Sequence, residues 1–233
     1  MGPNHTLFIT ATDTGVGKTL ISGLLLGFLR GKGIEAGYQK WVGTGAADNS
    51  ADLDTCLDIS GVETSPDPLD QQAPYRFNFP ASPHLAAELE GVTIDPEKII
   101  GAYRRMADRH EVLVVEGAGG LLVPLSRELL LADLLAQLEL PTIIVSRSGL
   151  GTINHTLLTI EAMRARRIPI AGVICTDSKD EDEVIAGDNM KILAGMGRIE
   201  VFGRLPYCQN EQELKDAFLP IGKRIMAALP YPG

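Results

Sequence analysis

Short apolar runs alternate with longer amphipathic segments along most of this 233-residue chain. The runs are continuous and bounded by glycine or polar residues, which is typical of buried parallel strands. They lie at 7–10, 35–42, 112–117, 142–146, 171–175 and 201–206. The intervening patterns predict helices at about 18–29, from about 51, and at 95–109, 153–167 and 211–228. Alternating strands and helices indicate an α/β fold with a mostly parallel sheet and helices on both faces.

Two stretches interrupt this alternation. Residues 43–50 (GTGAADNS) are rich in turn-forming residues and predict a loop. Residues 64–83 contain five prolines and predict a long irregular connection. The chain has no internal repeat, low-complexity tract or obvious linker, so we expect residues 1–233 to form a single domain.

Composition and charge limit the classes of partner. The apolar fraction of 45% and the charged fraction of 22% are ordinary for a soluble globular protein. A formal net charge of -9 argues against non-specific binding to nucleic acid or to an anionic membrane surface. A small anionic ligand is still allowed, because a local site can be positive on an acidic protein.

Cysteine use and the N-terminal sequence predict the compartment. Cys56, Cys175 and Cys208 are odd in number and far apart, which favours reduced thiols over a disulfide framework or a zinc site. The N-terminal residues lack a basic segment followed by an apolar run of signal-peptide length. The most apolar helical stretch, 20–29, is too short to span a bilayer. We therefore expect a cytoplasmic protein.

Residues 9–20 (ITATDTGVGKTL) almost match the phosphate-loop pattern G-x-x-x-x-G-K-T, with Thr12 in place of the first glycine. A predicted strand precedes the stretch and a predicted helix follows it, which is the context in which such loops bind phosphate. The two remaining glycines allow backbone N–H groups to point inward. Lys18 can reach the terminal phosphates of a nucleotide, and Thr19 can reach a magnesium ion.

This loop and four later stretches resemble those of dethiobiotin synthetases. TDTGVGKT (12–19) resembles the family's loop, and it lacks the second lysine that marks the branch containing chromosome-partitioning ATPases. The other matches, in the family's order, are QKWVGTG (39–45), FPASPH (79–84), VEGAGGLLVPL (115–125) and GLGTINHTLLT (149–159). The resemblance covers about residues 8–207 and implies a three-layer phosphate-loop NTPase fold.

The resemblance also implies a reaction that closes a cyclic urea. Carbon dioxide adds to an amine of 7,8-diaminononanoate and gives a carbamate. ATP phosphorylates the carbamate to a carbamic-phosphoric anhydride, and the second amine then expels phosphate and forms dethiobiotin. Phosphoryl transfer depends mainly on positioning and charge stabilisation, so cationic groups are expected around the γ-phosphate.

Three oxygen ligands are implied for a magnesium ion. Thr19 would supply a hydroxyl, and Glu116, at the end of a buried strand, would supply a carboxylate, which suits a hard cation. The third ligand would come from Asp48, Asp52 or Asp54, and Asp52 matches the family pattern best. The alternative for these acids is that they cap or solvate the following helix.

The nucleotide would lie along the carboxyl ends of the strands. Lys18 would hold its β- and γ-phosphates. The implied phosphate-side contacts are Gly15, Val16, Gly17, Lys18, Thr19, Leu20, Glu116, Gly117, Ala118 and Gly119. The implied base and ribose contacts are Thr176, Asp177, Pro206, Tyr207, Cys208 and Glu213. Thr176 stands where the family usually has an adenine-reading asparagine, so the preferred nucleotide stays open.

The implied catalytic set is Lys40, Lys18 and Thr14. Lys40 would bridge the carbamate and the γ-phosphate, although one extra residue precedes it relative to the family pattern. Thr14 and Thr44 would hydrogen-bond the carbamate or the diamine, or would instead be turn hydroxyls. The substrate carboxylate would be received across a homodimer interface by Gly151, Thr152, Ile153 and Asn154.

Two other functions compete with the ligase. A regulatory nucleotide switch of the partitioning type would use the same loop, but residues 12–14 lack that branch's lysine. A related amide-forming synthetase would carry a glutaminase domain with a nucleophilic cysteine, and no segment of this chain fits such a domain.

Overall fold

The computed structural model describes residues 5–45, 51–62 and 65–228. In chain order the elements are β1 (His5–Ala11), α1 (Lys18–Arg30), β2 (Ala36–Lys40), β3 (Val42–Thr44), α2 (Ala51–Ser60), α3 (Leu69–Gln72), β4 (Tyr75–Phe77), α4 (Pro83–Leu89), α5 (Pro96–Ala107), β5 (Val112–Glu116), α6 (Leu131–Leu138), β6 (Thr142–Arg147), α7 (Thr152–Ala165), β7 (Ile170–Thr176), α8 (Glu183–Gly197), β8 (Val201–Leu205) and α9 (Glu211–Ala228).

A six-stranded parallel sheet with the strand order β2-β5-β1-β6-β7-β8 forms the centre of the fold. Helices cover both faces, because successive side chains of each buried strand point to opposite sides. Leu7 and Ile9 of β1 pack with α1, α2 and α9, whereas Phe8 packs with α4 to α8. The predicted three-layer phosphate-loop NTPase architecture is confirmed.

All six predicted strands occur in this sheet, but the prediction of one strand over 35–42 was wrong. β2 ends at Lys40, and 42–44 form β3, which pairs with β4 in a separate two-stranded sheet. The physical reason is that the neighbouring β5 ends at Glu116 and continues into glycines. The backbone N–H of Trp41 donates to Glu116 O at 3.1 Å, after which β2 has no strand beside it.

The two stretches predicted as irregular contain regular structure. Within 64–83, the short helix α3 and the strand β4 form, and Pro83 begins α4. Within 43–50, residues 43–44 belong to β3, and 46–50 lie outside the described residues. These elements are three to seven residues long, too short to give a periodic pattern.

All three cysteines are free thiols, and Cys56 and Cys175 are buried. In the described part of the chain, no helix is both long enough and apolar enough to cross a membrane.

Two glycines let α2 approach α1 closely, which matters because α2 carries Asp52 and α1 begins at the phosphate loop. A Cβ atom at Gly23 would lie 2.8 Å from Ile59 Cβ, and one at Gly27 would lie 2.8 Å from Ser60 O. Backbone atoms cannot move aside as the tip of a flexible side chain can. These glycines therefore set the distance between the two helices.

We expect Gly27→Ala to lower the free energy of unfolding by about 1–3 kcal/mol, because the added methyl group overpacks the α1–α2 contact. Urea denaturation measures this change. Gly195→Ala is the matched control, since Gly195 is exposed within α8 and a Cβ there meets no atom within 4 Å. The control should gain about 0.5–1 kcal/mol from helix propensity. A gain of similar size in both variants would contradict the packing argument.

Candidate active site

The loop between β1 and α1 has the backbone shape of a phosphate-binding loop. Gly15 and Gly17 have positive φ angles of 68° and 98°, which glycine adopts without a steric penalty. Gly17 caps α1, a helix of 13 residues whose N-terminal N–H groups attract anions. Among the described residues, the non-glycine positions with positive φ are Glu139, Arg167 and Arg198. Thr12 therefore replaces the expected glycine without backbone strain.

A cavity of about 410 Å³ opens beside this loop at the carboxyl ends of the strands. Its lining residues are Thr14, Gly15, Gly17, Lys18, Thr19, Leu20, Lys40, Val42, Thr44, Asp52, Glu116, Ala118 and Gly119. The structure thus brings together the side chains that the sequence assigned to phosphate, metal and carbamate. Val16 and Gly117 are buried beside the cavity instead of lining it.

Four polar side chains meet on the floor of the cavity. The Thr19 hydroxyl lies 2.9 Å from Glu116 Oε1 and 3.1 Å from Asp52 Oδ1. Lys40 Nζ lies 2.7 Å from Glu116 Oε1 and 2.7 Å from Asp52 Oδ2, and it also donates to Gly117 O at 3.1 Å. Glu116 is fully buried and Lys40 is 3% exposed. One ammonium group therefore joins both carboxylates next to the loop threonine.

The two carboxylates keep Lys40 charged. Burial alone would lower the pKa of Lys40, but the neighbouring Glu116 and Asp52 outweigh burial and raise it. Burial alone would raise the pKa of Asp52, but the attraction of Lys40 outweighs burial and lowers this pKa. Lys40 and Asp52 thus form a fixed pair of opposite charges at neutral pH.

The oxygen atoms of this cluster fit a magnesium ion. A hydroxyl and two carboxylates are hard ligands, and their small number leaves positions for phosphate oxygens and water. Within the described residues, no group of three or more His, Cys, Asp or Glu side chains could hold a metal ion, so a zinc-type site is not supported there. Asp54 does not line the cavity, and Asp48 lies outside the described residues.

Lys18 differs from Lys40 in its surroundings. Its ammonium donates to Asp13 O at 3.4 Å, and the residue is 7% exposed. Burial and the nearby positive charge of Lys40 lower the pKa of Lys18 to about 8. Among the described residues Lys18 has no direct ion-pair partner, and an anion in the cavity would stabilise its charged form.

Triphosphate binding is expected to take up protons at about pH 8.5, where much of Lys18 is neutral in the free protein. The bound anion raises the lysine pKa, so affinity should fall as the pH rises through about 8. Titration calorimetry in buffers of different ionisation enthalpy measures the uptake. Lys18→Met should abolish it, and an unchanged uptake in that variant would contradict this origin.

The end of β7 supports the loop from behind. Thr176 Oγ1 donates to Val16 O at 2.8 Å and lies 3.2 Å from Ser146 O. Its methyl carbon would lie 3.4 Å from a Cβ at Gly17. The hydroxyl proton of Thr176 is therefore used within the protein, and contact of this residue with a nucleobase stays a prediction.

The other residues assigned to the base and ribose lie outside the 410 Å³ cavity. Asp177 Oδ1 accepts from Ser148 Oγ at 2.5 Å and from Arg204 Nε at 2.6 Å. Tyr207 is 53% exposed in the 206–208 segment after β8. Glu213 accepts from the backbone N–H of Gln209 at 3.1 Å. Because β7 and β8 are parallel to β1, these residues lie at the same edge of the sheet as the loop.

The N-terminal end of α7 lies on the other side of the loop from Lys40. Gly151 has a φ of 91° and caps α7, and together with Thr152 it lines a small cavity of about 100 Å³ against Thr12 and Asp13. Ile153 is partly buried and Asn154 is exposed. The structure therefore does not bring residues 151–154 to the cavity of Lys18 and Lys40 within one chain.

Three residues of the site were missed in the sequence. Val42 lines the cavity, and Ser22 and Tyr38 donate to Glu116 from behind it. The spacing contained a signal for two of them. Ser22 is one helical turn after Thr19, and Tyr38 is two residues before Lys40 on the same face of β2.

Comparison with known proteins identifies the family. The AAA domain family matches residues 5–213. The ATP-dependent dethiobiotin synthetase BioD of Rhodopseudomonas palustris (strain BisA53) is 43% identical over 90% of this chain and 90% of its own length. The protein of the same name from Bacillus subtilis (strain 168) is 37% identical over 89% of this chain and 90% of its own length.

Solved structures agree on the fold. The MinC:MinD cell division protein complex of Aquifex aeolicus contains a chain with a TM-score of 0.60 and 14% identity, and 98% of each chain is covered. The cell division ATPase MinD of Pyrococcus furiosus gives a TM-score of 0.58 at 12% identity, with 97% of this chain and 100% of that chain covered. Such identities support the fold alone, whereas the sequence relatives decide the family. This chain therefore belongs to the ATP-dependent dethiobiotin synthetases and is an ATP-dependent ligase of biotin biosynthesis.

Proposed function

We propose that the protein uses ATP to convert 7,8-diaminononanoate and carbon dioxide to dethiobiotin, with release of ADP and phosphate. The observation that carries this proposal is the position of Lys40 Nζ. It lies 2.7 Å from Glu116 and from Asp52 in the cavity that the phosphate loop also lines. A carbamate and a terminal phosphate are both anions, and a fixed ammonium between their binding sites favours the transition state for phosphoryl transfer.

The phosphate loop and the two lysines divide the work. Loop N–H groups and Lys18 hold the β- and γ-phosphates, and Lys40 holds a carbamate oxygen in line with the γ-phosphorus. Thr14 and Thr44, which line the same cavity, orient the carbamate or the diamine. The carbamate oxygen takes the phosphoryl group, and the second amine attacks the carbamoyl carbon. Phosphate then leaves with that oxygen, and the urea ring closes.

Mg²⁺ is the metal that the site would hold through Thr19, Asp52 and Glu116. When bound, it neutralises charge on the β- and γ-phosphates. The hydroxyl of Thr19 already lies within hydrogen-bond distance of both carboxylates, so the three ligands face one point.

A homodimer would complete the substrate site. Residues 151–154 of one copy would receive the carboxylate of the substrate bound to the other copy. Exposed leucines support an interface in this region, with Leu150 92%, Leu158 56% and Leu122 47% exposed. Leu122 and Leu158 also line a cavity of about 460 Å³ that includes Thr12 and Asp13 of the loop.

We further propose that the chain forms one domain and that the protein is located in the cytoplasm.

The base and ribose would extend from the loop toward the ends of β7 and β8. Thr176 supports the loop through Val16 O, and the segment 206–208 would contact the base through its backbone. Asp177 and Glu213 complete the proposed contacts. Because Thr176 offers no amide group, the protein should discriminate less sharply among nucleobases than a site with an asparagine there.

The assay is nucleotide consumption by the purified protein with each nucleoside triphosphate, with and without 7,8-diaminononanoate and bicarbonate. The mass of any product is recorded in parallel. The ligase predicts turnover that depends on the diamine and a product with the mass of dethiobiotin. Hydrolysis that is independent of the diamine, with no new product, would instead favour a nucleotide switch of the partitioning type.

A further inference from the structure

The two carboxylate oxygens of Glu116 have different surroundings. Oε1 faces the cavity, where it lies 2.9 Å from Thr19 Oγ1 and 2.7 Å from Lys40 Nζ. Oε2 faces the interior and accepts hydrogen bonds of 2.9 Å from Ser22 Oγ and 2.9 Å from Tyr38 Oη. Neither Ser22 nor Tyr38 lines the cavity, and they are 0% and 2% exposed. Oε2 is thus fixed by two buried hydrogen bonds, whereas Oε1 faces the cavity.

We propose that Tyr38 and Ser22 are positioning residues that fix the carboxylate of Glu116 for the metal of the active site. The inference rests on the proposed function of Glu116 as a magnesium ligand. Two donors occupy the lone pairs of Oε2, so the carboxylate cannot rotate without breaking buried hydrogen bonds. Oε1 is then held toward Thr19 and the cavity, so that metal binding requires Lys40 and the Thr19 hydroxyl proton to shift but leaves the carboxylate in place.

The arrangement of the chain supports this division of roles. α1 supplies Thr19 to the cavity and, one turn later, Ser22 to the anchor. β2 supplies Lys40 to the cavity and, two residues earlier, Tyr38 to the anchor. The β2–β5 register places Lys40 beside Glu116 and Tyr38 beside Val114, so both side chains share the face that carries α1. α1 and β2 therefore each supply one side chain that lines the cavity and one that donates a hydrogen bond to Oε2 of Glu116.

A purely structural role makes a different prediction. A buried hydroxyl needs a partner in any core, and Tyr38 also packs within the apolar cluster under α1. Loss of such a hydroxyl would lower stability and would weaken all ligands in proportion. Ser22 of α1, however, donates to a side chain of β5, whereas a helical serine often bonds the carbonyl one turn earlier. Loss of a positioning hydroxyl should weaken metal binding selectively.

The experiment compares Tyr38→Phe and Ser22→Ala with the wild type. The melting temperature is titrated with Mg²⁺ in the presence of a saturating non-hydrolysable ATP analogue. Affinity for the analogue without metal is measured separately. We expect the Mg²⁺ concentration for half-maximal stabilisation to rise about tenfold in each variant, since loss of a supporting group costs metal affinity on that scale. Affinity for the metal-free analogue should stay unchanged.

Tyr103→Phe is the matched control, because it removes a tyrosine hydroxyl that lies 3.2 Å from Thr6 Oγ1, at the opposite edge of the sheet from the cavity. It should leave the Mg²⁺ dependence unchanged. An unaltered Mg²⁺ dependence in both test variants would overturn the inference, and so would an equal loss of metal and nucleotide affinity. If Tyr38→Phe does not fold, the Mg²⁺ dependence of Ser22→Ala alone tests the inference. This measurement requires no diamine, so its result does not depend on whether the protein catalyses the proposed reaction.

Discussion

Replacing Lys40 with alanine is expected to lower diamine-dependent turnover by about two to three orders of magnitude. The substitution removes the charge that stabilises the carbamate and the transferring phosphoryl group. Nucleotide binding should change much less, because the phosphate loop stays intact. Measurement of kcat and of analogue affinity in the same preparation separates these effects.

The same substitution should also lower stability. Lys40 pairs with two carboxylates and is 3% exposed, so its removal leaves Glu116 and Asp52 without the cation that contacts both. Breaking a buried pair in this way costs about 3–5 kcal/mol. Added Mg²⁺ should restore part of this loss. Lys191→Ala, an exposed site on α8, is the control and should change neither quantity. Full turnover by Lys40→Ala would contradict a catalytic role of Lys40.

Lys18→Ala should produce a similar loss of turnover without a loss of stability. We expect turnover to fall by about two to three orders of magnitude, with weaker triphosphate binding, because the β- and γ-phosphates lose their direct cation. Stability should stay equal or rise. Burial and Lys40 lower the pKa of Lys18 to about 8, so the folded state disfavours its charge at neutral pH.

Denaturation in urea without ligand tests the contrast between the two lysines. The unfolding free energy should fall for Lys40→Ala and not for Lys18→Ala, although both variants are expected to lose most of their turnover. If Lys18→Ala instead destabilised the protein as much as Lys40→Ala, then Lys18 would be part of the structural charge cluster. The assignment of Lys18 to the phosphates would then lose its physical basis.

The main strands and the phosphate loop could be predicted because their patterns are local. The run VLVVE ends in a carboxylate at Glu116, and the loop's glycines and Lys18 directly precede a periodic helix. Asp52 could be selected only through the family pattern. Its approach to Thr19 depends on the close packing of α2 against Gly23 and Gly27 of α1.

Features that depend on long-range pairing could not be predicted. The break in the 35–42 run at Trp41 follows from the end of β5, which lies more than 70 residues away in the chain. β3 and β4 are three residues each and form only because they pair with each other. The spacing places Ser22 one turn from Thr19 and Tyr38 on the same face as Lys40. Their hydrogen bonds to Glu116, however, require three separate elements to meet, which no local pattern shows.

Transfer of labelled oxygen tests the central claim most directly. The reaction is started with C¹⁸O₂, 7,8-diaminononanoate and ATP, and it is stopped before the label exchanges with water. If the carbamate is phosphorylated in the cavity of Lys18 and Lys40, each phosphate released carries one ¹⁸O and the urea carbonyl carries the other. Diamine-dependent turnover that releases unlabelled phosphate would contradict this account.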